Sequence, residues 1–418
     1  MDVLRRHILQ GLGSLAVAGA VGAKAGELGS QGMIAEPEPS SASFPRKKDF
    51  KLRDDFTYIN CAYIHPMPTA AAESARQWIL SRSQPDQPGP APVDLKAEFA
   101  ALINANPKEI ALIPNTSTGE NLVVKGLGLP ESGGNVVTDA LHFEGALIHL
   151  QELQKQGLDL RIVLPRDLRI DLQDLERAID RNTKLVEISH IAMFTGFQHD
   201  LKAVCDLAHA KGAVVYADVA QSAGCTPIDV KATGLDFCAC SSFKWLMGDF
   251  GLGFLYVRQD LMDRVIRRSD CSYYQASSVV SHFLPYDEPG TSPLTYQLTH
   301  DATGHFEVST LGYAARAALG KSLPYIRGLG VANIESYRQP MLQRLHKEMP
   351  ALGFERMTPL ESKSALISFA CKNANLYADR LKKANVNVRL GAHFIRLSPS
   401  VFNDMSDIDR FLDAVKTP

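Results

Sequence analysis

The chain has 418 residues, with 44 Lys+Arg against 46 Asp+Glu for a formal net charge of −2. That length suffices for two domains sharing a large core, and the balanced charge gives no reason to expect nucleic acid or an acidic membrane as partner. Hydrophobic residues make up 45% and charged residues 22%, ordinary values for a soluble globular protein, and the body has no run of about 20 apolar residues that would span a bilayer.

The N-terminus opens with Leu4-Arg5-Arg6-His7, followed by a weakly apolar run from Gly11 to Ala23 and the small-residue pattern Ala23-Lys24-Ala25. A basic start, a short apolar region and an A-x-A site describe a secretory signal rather than a membrane helix. The adjacent arginines are similar to a twin-arginine signal. Residues 1–25 are therefore expected to be a cleaved export signal that directs the chain to the periplasm; an uncleaved tail on a cytoplasmic protein is the competing reading. Residues 26–49, rich in Pro, Glu and Ser, read as a flexible linker.

Residues 50–94 form an N-terminal segment, and from about residue 95 helical and strand periods alternate. Asn135–Asp139 predicts a strand and Glu144–Gln156 a helix. Strand Lys184–Ser189, helix Leu201–Lys211, strand Ala213–Ala217 ending at Asp218, and strands Leu235–Cys240 and Phe254–Val257 follow. Strands separated by helices imply a mostly parallel α/β sheet covered on both faces, with ligands beyond the carboxyl ends of its strands. After about residue 305 the tempo changes: long helices from Ser309 to Arg327 and Val331 to Met349, a strand Ala365–Ala370, a helix Leu376–Lys383, short strands near Val386–Arg389 and Phe394–Leu397, and a last helix from Asp404. This pattern gives a large domain over 95–304 and a smaller α+β C-terminal domain over 305–418.

The seven cysteines (Cys61, Cys205, Cys225, Cys238, Cys240, Cys271 and Cys371) form no C-x-x-C pair, which argues against a zinc ribbon or a thioredoxin-like site. Several sit in apolar runs, where cysteine acts as a small buried apolar residue. His190, His199 and His209 have no recognised metal-ligand spacing.

The informative stretch is Asp218-Val219-Ala220-Gln221, followed by Ser241-Ser242-Phe243-Lys244-Trp245. Pyridoxal 5′-phosphate (PLP) chemistry needs a lysine to hold the cofactor as a Schiff base and a carboxylate against its pyridine nitrogen. An aspartate at one strand end and a lysine just after the next can meet one ring. Taken singly, each has an ordinary alternative, a solvated lysine and a helix-capping aspartate.

Their order and flanks resemble the class V aminotransferase family, which includes cysteine desulfurases, kynureninases and isopenicillin-N epimerases. The likeness runs through Ser189-His190, Thr195-Gly196, Asp200-Leu201, Ala208-His209, Gly212-Ala213, Asp218, Gln221, Gly234, Asp236-Phe237, Lys244-Trp245-Leu246, Gly248 and Gly251 to Val257. It extends more weakly over roughly residues 52–415. The resemblance implies the PLP-dependent transferase fold type I, with a seven-stranded, mostly parallel sheet in the large domain.

It also implies roles. Lys244 matches the Schiff-base lysine and proton shuttle at Cα, Asp218 the pyridinium partner, and Gln221 the contact to the ring hydroxyl. His142 matches the imidazole stacked on the ring; a histidine packing at a strand end is the alternative. Thr116, Ser117 and Thr118 match the phosphate loop at a helix N-terminus, with Ser117 matched best and Ser241 a further phosphate ligand; a plain N-cap competes. Thr310 matches a residue that reaches the phosphate of the neighbouring subunit in a homodimer, unless Ser309 or Thr310 simply caps a helix. Arg396 matches the clamp on the substrate α-carboxylate. Arg389 matches a second arginine of the fold or serves a structural salt bridge.

The sequence departs from the sulfur-transferring members. They need a cysteine on the loop after the Val-Arg-x-Gly strand, and here that loop is only Ala392-His393-Phe394. Phe243 stands where desulfurases carry histidine, and Met193 where many relatives carry asparagine. The expectation is an exported homodimeric PLP enzyme acting at Cα of an amino acid, or of an amino-acid unit in a peptide or natural product, by transamination, epimerisation or β-elimination. A cysteine desulfurase or selenocysteine lyase ranks lower, as does a PLP-binding sensor without activity.

Overall fold

The computed structural model describes residues 43–84, 86 and 89–416. The expected export signal, residues 1–25, lies outside the described residues, as do residues 26–42 of the linker. The end of that linker is docked. Phe44 stacks on Tyr337 with centroids 4.5 Å apart, and the Arg46 N–H donates to the Val401 carbonyl at 2.7 Å. A half-buried aromatic ring stacked on the C-terminal part anchors what composition alone reads as flexible.

The central sheet has seven strands: β1 (Ile110–Ile113), β2 (Asn135–Asp139), β3 (Asp159–Val163), β4 (Thr183–Ser189), β5 (Val214–Asp218), β6 (Phe237–Ser241) and β7 (Gly253–Val257). Their spatial order is β1-β7-β6-β5-β4-β2-β3. The pairs β2/β3, β2/β4, β4/β5 and β5/β6 are parallel, while β1/β7 and β6/β7 are antiparallel. Crossover helices α1 (Thr116–Gly126), α2 (Glu144–Lys155), α3 (Leu172–Ala178) and α4 (Leu201–His209) link the strands in sequence. Strands β5, β6 and β7 are buried along their whole length, whereas the edge strand β3 starts exposed at Asp159. Burial on both faces is what a doubly covered parallel sheet requires.

Beyond β7 the chain makes an antiparallel hairpin, β8 (Ala276–Ser281) with β9 (Leu294–Leu298). Two long helices follow, α5 (Tyr313–Leu329) and α6 (Val331–Ala351). A second, four-stranded sheet contains β10 (Glu355–Arg356), β11 (Ile367–Ala370), β12 (Arg389–Leu390) and β13 (Phe394–Leu397), in the order β10-β11-β13-β12. Helix α7 (Met405–Lys416) packs Ile408, Phe411 and Leu412 into the core on that sheet.

The expected helix from Ser309 starts instead at Tyr313, with Gly312 at its N-cap position, so neither Ser309 nor Thr310 caps it. The expected helix Leu376–Lys383 is a 3-10 turn, Ala374–Tyr377, continued by a helix over Ala378–Lys383. The Asn373 side chain accepts from the Asn375 N–H and begins the tighter turn.

Candidate active site

The site is set by where the parallel strands end. Ser189 and Asp218, the last residues of β4 and β5, are direct register partners, and Asp218 pairs in turn with Ala239 of β6. Lys244 follows β6 by three residues, and His142 follows β2 by three. Four adjacent parallel strands thus deliver their following residues to one edge, the edge where such sheets bind ligands.

Asp218 is buried, and its Oδ1 accepts the Ala220 N–H at 2.8 Å. Burial pushes its carboxyl up from the usual range, and the Lys244 ammonium beside it pulls the other way. Burial lowers the Lys244 amine from its ordinary value; Asp218 opposes that shift, and the Arg396 guanidinium adds to it. The charges of Asp218 and Arg396 thus both act on Lys244. Lys244 Nζ donates no hydrogen bond to any described residue, and it lies 5.8 Å from the centre of the Phe243 ring. Phe243 stacks on Phe250 at 4.2 Å, so the position that is histidine in desulfurases forms an apolar wall.

His142 is buried between two strand residues. Its Nδ1 is 2.9 Å from Ser189 Oγ and its Nε2 is 3.2 Å from Glu187 Oε1. Burial lowers the imidazole from its ordinary value, which favours the neutral ring. Ser189 Oγ also accepts the Phe143 N–H at 3.2 Å and so pins the turn after β2.

Gln221 is held at both ends of its amide. Nε2 donates to the Ala62 carbonyl at 3.1 Å, and Oε1 accepts from the Trp245 indole N–H at 3.0 Å. One N–H of Nε2 remains for a further partner. Gly224 permits this arrangement: its φ is +91°, and a Cβ there would fall 2.6 Å from the Trp245 carbonyl.

Helix α1 begins where the phosphate loop is expected, but its cap is Asn115, whose Oδ1 accepts from the Thr118 N–H at 2.9 Å. The Thr118 hydroxyl also binds Asn115 Oδ1, and the Thr116 hydroxyl is 2.9 Å from Ser241 Oγ. Ser241 Oγ further accepts the Thr116 N–H at 3.1 Å, tying β6 to the start of α1. The exposed Ser117 hydroxyl is the one left uncommitted among Thr116, Ser117, Thr118 and Ser241. Gly119 lets α1 lie close on the sheet, since a Cβ there would meet Ile113 Cδ1 at 2.7 Å.

Arg396 comes from β13 of the smaller sheet. It is buried, its Nη1 donates to the Met193 carbonyl at 2.8 Å, and its Nε has no partner. Burial, reinforced by Arg389, lowers it to about 10. Arg389 is its direct register partner on β12, but is exposed and lies over the Tyr63 ring at 5.6 Å. It makes no ion pair with a described residue, so the salt-bridge alternative does not hold. The turn Gly391-Ala392-His393 between β12 and β13 is closed by a Gly391 N–H to Phe394 carbonyl bond of 2.9 Å. It is a tight hairpin without a thiol.

Thr310 stands apart from this group within the chain. It is exposed, and its Oγ1 accepts from Tyr274 Oη at 3.5 Å. His199 and His209 are each taken by a separate carboxylate, Asp139 at 3.1 Å and Asp236 at 2.7 Å. Sequence reasoning missed Glu187. The available signal was a carboxylate in the middle of an apolar strand, two residues before Ser189.

The fit of a pyridoxal phosphate can be judged from the groups left open. A free amine at Lys244, an Asp218 carboxylate with one oxygen uncommitted, the Ser117 hydroxyl and the buried unpaired Arg396 Nε make up the donor and acceptor set that such a cofactor and an amino acid need. A small cleft there is lined by Thr116, Ser117, His142, Tyr216 and Asp218 among others. The residues fit the group.

The family model described as aminotransferase class-V matches residues 93–411. A probable cysteine desulfurase of Methanothermobacter thermautotrophicus is 28% identical over 361 residues, covering 83% of this chain and 86% of that protein. The apo cysteine desulfurase of Thermococcus onnurineus has a TM-score of 0.77 at 24% identity, covering 90% of this chain and 98% of its own. A C-DES variant with glycine covalently linked to its PLP cofactor has a TM-score of 0.75 at 21% identity, covering 89% and 99%.

Proposed function

Since the chain belongs to the class-V aminotransferase family and is a PLP-dependent enzyme, we propose that it cleaves the Cβ–S bond of a cysteine-type amino acid by elimination and releases the sulfur without passing it to an enzyme thiol. The amino-acid chemistry rests on one observation: Lys244 follows the strand paired to Asp218, and the charges of Asp218 and Arg396 both act on it. The sulfur substrate rests on the relatives' names, which favour the desulfurase alternative over the broader Cα reading. The thiol-free route rests on the closed Gly391–His393 turn.

Bound PLP supplies an electron sink for the pair left at Cα when a substrate bond breaks. Lys244 would hold the cofactor and would take the Cα proton on Nζ. Burial lowers its basicity, which favours the neutral, proton-accepting amine. Asp218, fixed by the Ala220 N–H, holds a proton at the pyridine nitrogen. His142 would cover one face of the ring, and Ser117 with the N-terminus of α1 would receive the phosphate. Arg396 grips the substrate carboxylate with its fork and so fixes which Cα bond stands across the ring. The Cα–H and Cβ–S bonds break, sulfur leaves with the bonding pair and takes a proton, and water converts the three-carbon remainder to pyruvate and ammonia.

The test is product analysis of the PLP-loaded enzyme with cysteine and cystine. Pyruvate with sulfide or persulfide, retained when Cys271 and Cys371 (the two cysteines that are not buried) are both replaced by serine, supports the reading. Alanine with sulfur on an enzyme cysteine makes the protein a thiol-dependent desulfurase. A racemised or transaminated product with sulfur in place returns it to Cα chemistry alone.

The working form is a homodimer in this reading. The exposed apolar side chains Val279, Val280, Phe283, Leu294 and Tyr296 on and between β8 and β9 support it, as does a Thr310 that meets no site residue of its own chain. Light scattering that gives a monomer with full PLP affinity rejects it. Export by residues 1–25 rests on the Arg5-Arg6 signal pattern, and a retained Met1 in protein from the native host rejects it.

A further inference from the structure

Beneath His142 lies a carboxyl that none of this chemistry uses. Glu187 sits inside β4, two residues before Ser189 and hence on the same face of the strand. It is fully buried, and its Oε1 is 3.2 Å from His142 Nε2, while its Oε2 has no partner. Its register partner across to β5 is Tyr216, whose hydroxyl is likewise buried and unpaired. From α1, the buried Glu120 faces Glu187, and Glu120 Oε1 is 2.7 Å from Nδ1 of His149 on α2. His149 is partly exposed and lines the open groove beside Ser117.

We propose that Glu187 is a positioning residue that donates a hydrogen bond to His142 Nε2, fixes the tautomer of that ring, and links it through Glu120 to His149 at the surface. Two buried carboxyls in contact cannot both ionise at ordinary cost, so one proton resides on the pair. Burial, with Glu120 beside it, holds Glu187 far above the usual carboxylate range, which puts that proton on Glu187. Glu120, hydrogen-bonded to His149 Nδ1, raises that imidazole above its ordinary value. With Nε2 accepting, His142 carries its hydrogen on Nδ1 and donates to Ser189 Oγ. The ring is locked from both sides in the orientation that covers the cofactor. The charged and titratable groups facing this array are Asp139 from β2, Glu120 from α1, His149 from α2, and Tyr216 and Asp218 from β5.

The inference rests on His142 meeting the cofactor ring and not on the sulfur substrate, so failure of the C–S lyase reading leaves it standing. The test compares Glu187→Gln and Glu187→Leu by PLP dissociation constant and by the pH dependence of the bound cofactor's visible absorbance, with thermal melts to confirm folding. Glutamine keeps a donor for Nε2 but exchanges no proton. Glu187→Gln is expected to bind PLP within about threefold of the wild type and to lose a pH-dependent step in the absorbance that Glu120→Gln also removes. Glu187→Leu is expected to weaken PLP by about tenfold or more, the scale of a lost buried hydrogen bond. Equal PLP affinity for the leucine variant and the wild type, or unchanged pH profiles in both glutamine variants, overturns the proposal. If the leucine variant does not fold, the pH profile of Glu187→Gln alone decides.

Discussion

Ser189 and Asp218 face each other as register partners at the ends of two parallel strands, and this one pairing brings the imidazole and the carboxylate of the site together. Ser189 holds His142 by its ring Nδ1, and Asp218 lies one strand over. The geometry comes from strand register rather than from a flexible loop, so neither group moves without disturbing the sheet.

Asp218 should trade stability for function. Burial raises its folded-state pKa, and a carboxyl with a raised folded-state pKa adds stability that is present at low pH and lost as pH rises through the folded value. At pH 7, well above the ordinary carboxylate value, that loss therefore costs the cofactor-free protein stability. Asp218→Asn is expected to raise the melting temperature of the cofactor-free protein at pH 7 while lowering turnover of the loaded enzyme by about 100-fold or more, as for loss of a preorganised electrostatic contact. Melts with and without PLP, beside steady-state kinetics, check both halves.

Arg396→Gln should lower kcat/KM for the amino-acid substrate by roughly 10- to 100-fold, the worth of about 1.5–3 kcal/mol for hydrogen bonds to a charged group. Arg396→Lys should fall between, since it keeps the charge and loses the fork. PLP affinity should change little in either variant. A decarboxylated substrate analogue should be processed equally by the variants and the wild type.

Two buried histidines set an acid limb. Burial depresses His65 to about 4 and His190 to about 3. A histidine with a depressed folded-state pKa leaves the unfolded chain binding more protons below about 6.5, so stability is lost as pH falls from there toward the folded values. Each contributes on the order of 3 kcal/mol across that window. Burial keeps the His65 ring neutral against the Pro66 carbonyl, which lies 2.7 Å from Nδ1 and pulls the other way, while Ser400 Oγ lies 2.6 Å from Nε2. His65→Asn should flatten the fall in melting temperature between pH 6.5 and 4, whatever it does to the melting temperature at pH 7. An unchanged slope would show that His65 is not one of the groups responsible.

Much of this was legible because apolar runs ended at chemically distinctive residues. Asn135–Asp139 and Phe394–Leu397 are strands with the expected bounds, and Asp218 stands at a strand end beside the strand that leads to Lys244, as their order suggested. β1 went unread because Ile110–Ile113 is only four residues long beside a capping turn, and β3 because its exposed start at an edge mixes charge into the strand period. The β8–β9 hairpin was hidden because its exposed strands mix Ser, Thr and Gln with Val, Leu and Tyr and bury no apolar face. At the site, Asn115 rather than a threonine or serine caps α1. Glu187 escaped notice because its partner, His142, is 45 residues away in sequence, and only the β2–β4 pairing brings them together.

The most direct measurement is covalent mapping of the cofactor. The PLP-loaded protein should absorb at about 410–430 nm, a property of the lysine-linked cofactor, and borohydride should fix the cofactor to the single peptide that contains Lys244. Lys244→Ala should then carry no reducible cofactor. Covalent PLP recovered on another lysine, or on the Lys244→Ala protein, would contradict the account.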